Sequence, residues 1–276
     1  MIFLYKAWEE FCKNLSCNGI HSITAADVSE DTDAYLVLKH DVETNVPSAF
    51  QIAQIEQKYG HCGSYYVQAY LLEDDKNVSL LQKMQQMGHE ISYHYDVMDS
   101  ARGDITLAME EFETNRLLFE KKGFPVTTVC QHGNPVVERV GYHSNRDFFR
   151  NPLVQERYPD ISDIMVNYPE KHKTQYQYFS DAGRIFRKIH DPLYNDIIPS
   201  DDLNVPYEDL KALQGAFQYS NRNIVSIHPH RWVASAAKYQ LRNFIFQTVK
   251  KTAKILMKVP LLKKIMSRYY YLAKKI

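Results

Sequence analysis

The segment Lys39-His40-Asp41-Val42-Glu43 sets an imidazole and two carboxylates almost side by side. Just before them, Tyr35 to Lys39, with Ala34 ahead, read as a buried strand. A strand that ends this way either builds a reactive site or only decorates a turn, because an aspartate after a strand is also a common helix cap. Three later β-rich runs end in similar groups. "HEISYHY" closes on His94, with Tyr95 and Asp96 following, "VTTVCQH" on His132 with Gly133 following, and "NIVSIHPH" on His228-Pro229-His230. Imidazole nitrogen and carboxylate oxygen together suit a borderline divalent metal, zinc first. The same mixture offers a general base and a general acid for hydrolysis.

Each residue taken alone also has a plain structural reading. Asp41 fits a cap, His94 a satisfied core histidine, and His132 beside Gly133 simple turn chemistry. Their joint placement at strand ends carries the functional reading. His89 lies at the opposite, amino end of its strand and reads as structural, and His21, His61, His143, His172 and His190 fall into no pattern.

The elements that must position these groups alternate. After the first strand, "VPSAFQIAQIEQKYG" is a helix with Pro47 in its first turn and Gly60 as its stop. "CGSYYVQAY" is a second strand, "NVSLLQKMQQMG" a short helix, and "HEISYHY" a third strand. "DITLAMEEFETNRLLFEKKG" is a long helix with Leu107, Phe112, Leu117, Leu118 and Phe119 as expected core, and "VTTVCQH" is a fourth strand. Residues 135–200 offer only weak strands at "DIMVNY" and "QYQYFSDAG"; "YEDLKALQGAFQ" is then a helix and "NIVSIHPH" a last buried strand. Strands joined through helices run parallel in an α/β domain. The carboxyl ends of such strands share one rim, where functional groups gather.

Composition bounds the rest. The 276 residues are 45% hydrophobic and 24% charged, enough for one large core. Ten of the 33 basic residues fall in 241–276 with no acid among them, so the first 240 residues hold 23 basic against 33 acidic residues. An acidic body argues against nucleic-acid binding. The cysteines Cys12, Cys17, Cys62 and Cys130 form no C-x-x-C pair and point to a reducing compartment. "MIFLYKAWEEF" lacks the pattern of a signal peptide, and no apolar run approaches a membrane span, so a cytoplasmic protein is expected.

In order, "LVLKHDVE", "MGHEISYHYD", "CQHGNP", "YFSDAGR" and "SIHPHRW" resemble the motifs of polysaccharide deacetylases of the NodB type (carbohydrate esterase family four), nearest a divergent branch associated with polysaccharide biosynthesis clusters. The resemblance covers roughly residues 20–235. It implies a distorted, incomplete (β/α) barrel, seven-stranded and TIM-like, over residues 1–235, and removal of acetyl groups from an N-acetylated saccharide with a divalent metal, commonly zinc. By that resemblance Asp41 matches the catalytic base, Glu43 a metal-binding carboxylate, His94 the first metal histidine, and His228 the acid that protonates the leaving amine. The usual second histidine, four residues on, is here Met98, a poor zinc ligand; His132 or Asp96 is left to complete the metal set. Asp181 and Arg184 are candidates to orient Asp41 and His228, and Trp232 and Tyr95 for either a sugar-stacking wall or core. The alternatives are a saccharide-binding or assembly protein that keeps the fold without turnover, and a metal hydrolase with an ester or amidine leaving group.

Residues 236–276 read as a basic tail of two helices broken near Pro260. Ile245, Val249, Ala253 and Leu256 share one helical face, and Lys250, Lys251, Lys254 and Lys258 another. Such a helix either lies peripherally on an anionic membrane surface, packs on the body, or meets an acidic partner.

Overall fold

The computed structural model describes residues 3–134, 137–172, 175–198 and 201–256. Nine strands form one mixed sheet: β1 (Tyr35–Val42), β2 (Gly63–Val67), β3 (Glu90–Tyr95), β4 (Thr128–Gln131), β5 (Ser162–Asp163), β6 (Gln177–Ser180), β7 (Arg187–Lys188), β8 (Val205–Pro206) and β9 (Arg222–Ile227). Their order is β5-β4-β3-β2-β1-β9-β6-β7-β8. The first seven in that order run parallel, and β7 and β8 add an antiparallel edge. Among the described residues β5 and β8 remain the two edges, so the sheet is open.

The expected strand–helix alternation is present in α2 (Val46–Lys58), α3 (Asp75–Gln86) and α5 (Ile105–Lys121). Asn45 caps α2 by accepting from the Ser48 N–H, and Asp104 caps α5 by accepting from Thr106 and Leu107. Each cap satisfies N–H groups that a first turn leaves open. Between β3 and α5 sits the single turn α4 (Val97–Ser100). Ahead of the first strand, α1 (Tyr5–Cys17) is an additional helix that buries Trp8, Phe11, Cys12 and Leu15 at helical spacing. After β4 come two short helices, α6 (Asp147–Arg150) and α7 (Pro152–Arg157), then α8 (Leu210–Gly215), and α9 spans Ala236–Leu256.

Several expectations are corrected here. Leu107 and Leu117 are 53% and 49% exposed, because α5 turns Ala108, Phe112 and Phe119 inward instead. "DIMVNY" contributes only the end of β5, Asp163, to the sheet. Tyr95 and Trp232 are buried in the core, which closes the stacking-wall alternative. Met98 is core as well. The region around Pro260 and the later lysines of the tail lie outside the described residues. Among the described residues no helix is long and apolar enough to cross a membrane, and all four cysteines are free.

Parity along each strand separates two faces. On β1 the even positions Leu36, Leu38 and Val42 join the helix-side core with Trp8, Ile52 and Tyr65. The odd positions Tyr35 and Val37 face the other side with Tyr66, Cys130, Tyr178 and Ile224. All eight residues of β1 are buried.

Candidate metal centre and hydrolytic site

β1 continues past Lys39 through Val42, so Asp41 belongs to the strand rather than to the turn after it. Lys39 and Asp41 are therefore both odd and point to the same side, and Glu43, in the bend just past the strand, comes to that side too, since His228 Nε2 lies 3.8 Å from both carboxylates. Lys39 is 1% exposed, and its Nζ donates to Asp41 Oδ1 at 2.5 Å and to Ser226 Oγ at 3.2 Å. Ser226 is the register partner of Lys39 across the β1–β9 pair. Burial alone would raise the Asp41 carboxyl; the Lys39 ammonium, then His94 and His228, override it and bring it down to about 2. Asp41 is thus a carboxylate at any neutral pH.

His94, at the end of β3, donates from Nδ1 to the Cys130 carbonyl at 3.0 Å, since a carbonyl can only accept. That bond fixes the tautomer and leaves the Nε2 lone pair open. Burial pushes the His94 imidazole down to about 3, so the ring is neutral and able to ligate. His132 follows β4, the neighbour of β3, and its ring centroid lies 5.3 Å from that of His94. Its Nε2 is 3.4 Å from Glu43 Oε1, and its Nδ1 is 3.8 Å from Asp96 Oδ2. The backbone around it is held on both sides. His132 N–H donates to the Tyr95 carbonyl at 2.7 Å, and the Asn145 amide donates to the His132 carbonyl at 2.8 Å. Asn145 is itself fixed by Asp99, which also takes two 2.8 Å hydrogen bonds from Arg139.

Glu43, His94 and His132 each bring a ligand atom within 4.8 Å of the others. One carboxylate and two imidazoles are the donor set of a divalent metal of zinc type with room for water. A second group, Asp41, His94 and Cys130, meets the same distance, but it fits less well. Asp41 is already engaged by Lys39, and burial pushes the Cys130 thiol well above its ordinary range, away from the thiolate a metal needs.

His228 faces this group from β9. Its Nε2 stands 3.8 Å from both Asp41 Oδ2 and Glu43 Oε1. Its Nδ1 donates to Asp181 Oδ1 at 2.5 Å, and its backbone N–H donates to Asp181 Oδ2 at 3.0 Å. Asp181 is fully buried; burial would raise it, but Arg231 and then His228 lower it, and it stays ionised. Arg231 Nη1 donates to Asp181 Oδ1 at 2.8 Å and to the Asp181 carbonyl at 2.6 Å.

The structure therefore brings Asp41, Glu43, His94, His132 and His228 to one rim, as the strand-end pattern required. It corrects the supporting pair. Asp181 holds His228 rather than Asp41, and Arg231 reaches Asp181 with its side chain while Arg184 donates its backbone N–H to the Asp181 carbonyl at 3.0 Å. Lys39 holds Asp41, and sequence reasoning missed it. The signal was there: Lys39 stands two positions before Asp41, which on a strand means the same face. Asn145 and Arg139 gave no such signal, because they come from an irregular loop.

No family profile matches the sequence. No curated protein matches it either. Among solved structures the chain is similar to that of a mutant of the peptidoglycan deacetylase PdaC from Bacillus subtilis. The identity is 10% over 81% of this chain and 99% of that one, with a TM-score of 0.32, an overlap too loose to assign fold or function.

Proposed function

We propose that the protein is a metal-dependent hydrolase that removes the N-acetyl group from a saccharide. The observation that carries this reading is the convergence, at one rim of parallel strands, of a metal donor set with two proton-handling groups beside it. Glu43, His94 and His132 would hold the metal. When bound, a divalent metal supplies Lewis acidity, which makes water easier to deprotonate and a carbonyl easier to attack.

The chain's own residues account for the protons. Asp41, kept ionised by Lys39, accepts a proton from the attacking water. Its low pKa makes it a weak base, so Lys39 trades basicity for certain ionisation. Water oxygen bonds to the acetyl carbon, the carbon–nitrogen bond breaks, and acetate and a free amine result. His228 Nε2 gives the departing nitrogen its proton, while Asp181 holds Nδ1 and fixes the orientation of the ring for that step. The carboxylate and the imidazole stand 3.8 Å apart beside the donor set, each with its own fixed ion partner.

Metal content by mass spectrometry tests the reading, on the wild type and on Glu43→Ala and His94→Ala. About one zinc-type ion per chain in the wild type, lost in both variants, is expected, together with acetate release from an N-acetylated oligosaccharide or sugar that falls with the metal. A wild type that stays empty after zinc is supplied would sink the proposal.

A further inference from the structure

A cavity of about 250 Å³ borders the metal donor set, beyond the ends of β2 and β3, and Gln68, Tyr70, Glu73, Asp96 and Glu111 are among the residues that line it. Two contacts join it to the reaction site. The exposed Tyr70 donates its hydroxyl to the Glu43 carbonyl at 2.6 Å, and Asp96 Oδ2 stands 3.8 Å from His132 Nδ1. Gln68 directly follows β2, and its backbone N–H donates to the Val42 carbonyl, at the end of β1, at 3.2 Å.

Gln68 is the residue that points to a ligand. It is only 9% exposed, yet among the described residues nothing hydrogen-bonds its side-chain amide. A buried amide without a protein partner costs free energy unless a molecule in the cavity supplies the partner. The hydrolytic step makes no use of it. The rest of the lining says what kind of molecule fits. Three of the nine lining residues are acids, and none is Lys, Arg or His. The acids do not converge as a metal set: among the described residues no group that includes Glu73 or Glu111 brings three ligand atoms within 4.8 Å.

Carboxylates spread around a cavity suit an organic cation that also carries hydroxyls. A primary ammonium offers them three donors, the Gln68 amide both donates to and accepts from a sugar hydroxyl, and Tyr70 presents an exposed ring beside them. The volume equals that of about eight waters, which suits one sugar ring rather than a segment of a protein. The hydrolytic step makes such a cation next door, because each turnover leaves an amine on the sugar. We propose that this cavity binds an already de-N-acetylated sugar unit, as its ammonium form, linked to the unit whose acetyl group is being removed. The substrate is then a partly deacetylated oligosaccharide or polysaccharide, and one turnover on a chain favours the next. This rests on the amide-hydrolase reading above.

Calorimetry on the zinc-loaded protein, with glucosamine and glucose as probes, tests the charge. At low salt the wild type should bind glucosamine about fivefold to tenfold more tightly than glucose. The double variant Glu73→Gln with Glu111→Gln should erase that preference, while Gln68→Ala should weaken both sugars alike, about fivefold. Glu73 is exposed, so Glu73→Gln alone, which should lower the preference in part, serves if the double variant does not fold. A disaccharide of one glucosamine and one N-acetylglucosamine, taken in both orders, should in one order be deacetylated with a kcat/KM about tenfold above that of the fully acetylated disaccharide. Equal affinities in the wild type, no binding of glucosamine, a preference that survives the acid substitutions, or equal kcat/KM on the disaccharides would overturn the subsite. A failure of the hydrolase reading has another signature: the acid-dependent preference for glucosamine persists while no acetylated sugar releases acetate.

Discussion

A lysine 1% exposed keeps its charge only because a carboxylate meets it. Burial alone would lower the Lys39 ammonium; Asp41 outweighs it and raises the pKa well above the ordinary value. Such a pair adds little net stability against apolar substitutes, but removing one partner strands the other. Lys39→Met is therefore expected to destabilise the fold by about 3–5 kcal/mol, measured by urea unfolding. The double variant Lys39→Met with Asp41→Leu should recover much of that loss, because no charge is left buried. A double variant no more stable than the single would show that Lys39 matters for packing instead. In activity, Lys39→Met should move the acidic limb of the pH–rate profile upward, since Asp41 then loses the cation that holds its carboxyl down.

At the scale of elements, the back of β1 is as demanding as the front. His40 Nε2 lies 2.9 Å from Glu56 Oε1 of α2, and Trp8 and Tyr65 donate to the same buried carboxylate at 3.1 and 2.7 Å. Gly63 of β2 passes so close that a Cβ would stand 2.7 Å from Glu56 Oε2 and 2.9 Å from His40 Nε2. Gly63→Ala should cost about 1–3 kcal/mol in thermal or urea unfolding, because the clash with two buried, paired side chains outweighs the entropy gained from the unfolded chain. Asn145→Ala should leave the fold in place but weaken metal binding about 10–100-fold in a competition titration, because it frees the His132 backbone. These two cases mark how far the sequence could be read. Strands, connecting helices and the strand-end residues were legible because each rests on local periodicity. α1 is equally periodic, at Trp8, Phe11, Cys12 and Leu15, and carries the same kind of signal. The third metal candidate stayed open between His132 and Asp96, since choosing needs the distance between two strands. The loop supports Asn145, Asp99 and Arg139 were out of reach, because nothing in an irregular segment ties spacing to direction.

For the molecule as a whole, the buried site sets a pH dependence. His94 is held at about 3, below its ordinary 6.5, so the unfolded chain binds that proton first as pH falls. Its contribution is complete above about 6.5 and is lost as pH drops toward 3. Asp41, at about 2 against an ordinary 3.8, adds a second loss below about 4. Urea midpoints of the metal-free protein should therefore fall steadily from pH 6.5 to 3, and His94→Gln should flatten that slope. A slope unchanged by the substitution would place the titration elsewhere. The two-sided polar load of β1 has a further consequence for how this chain can change over generations. Asp41 and Glu43 serve one side of the sheet while His40 serves the other, so a frame-preserving loss or gain of one residue in the strand would hand each side the wrong chemistry. Length changes inside the strand are tolerable only in steps of two, and the short turn after it is held as well, by Glu43 in the donor set and Asn45 at the cap of α2.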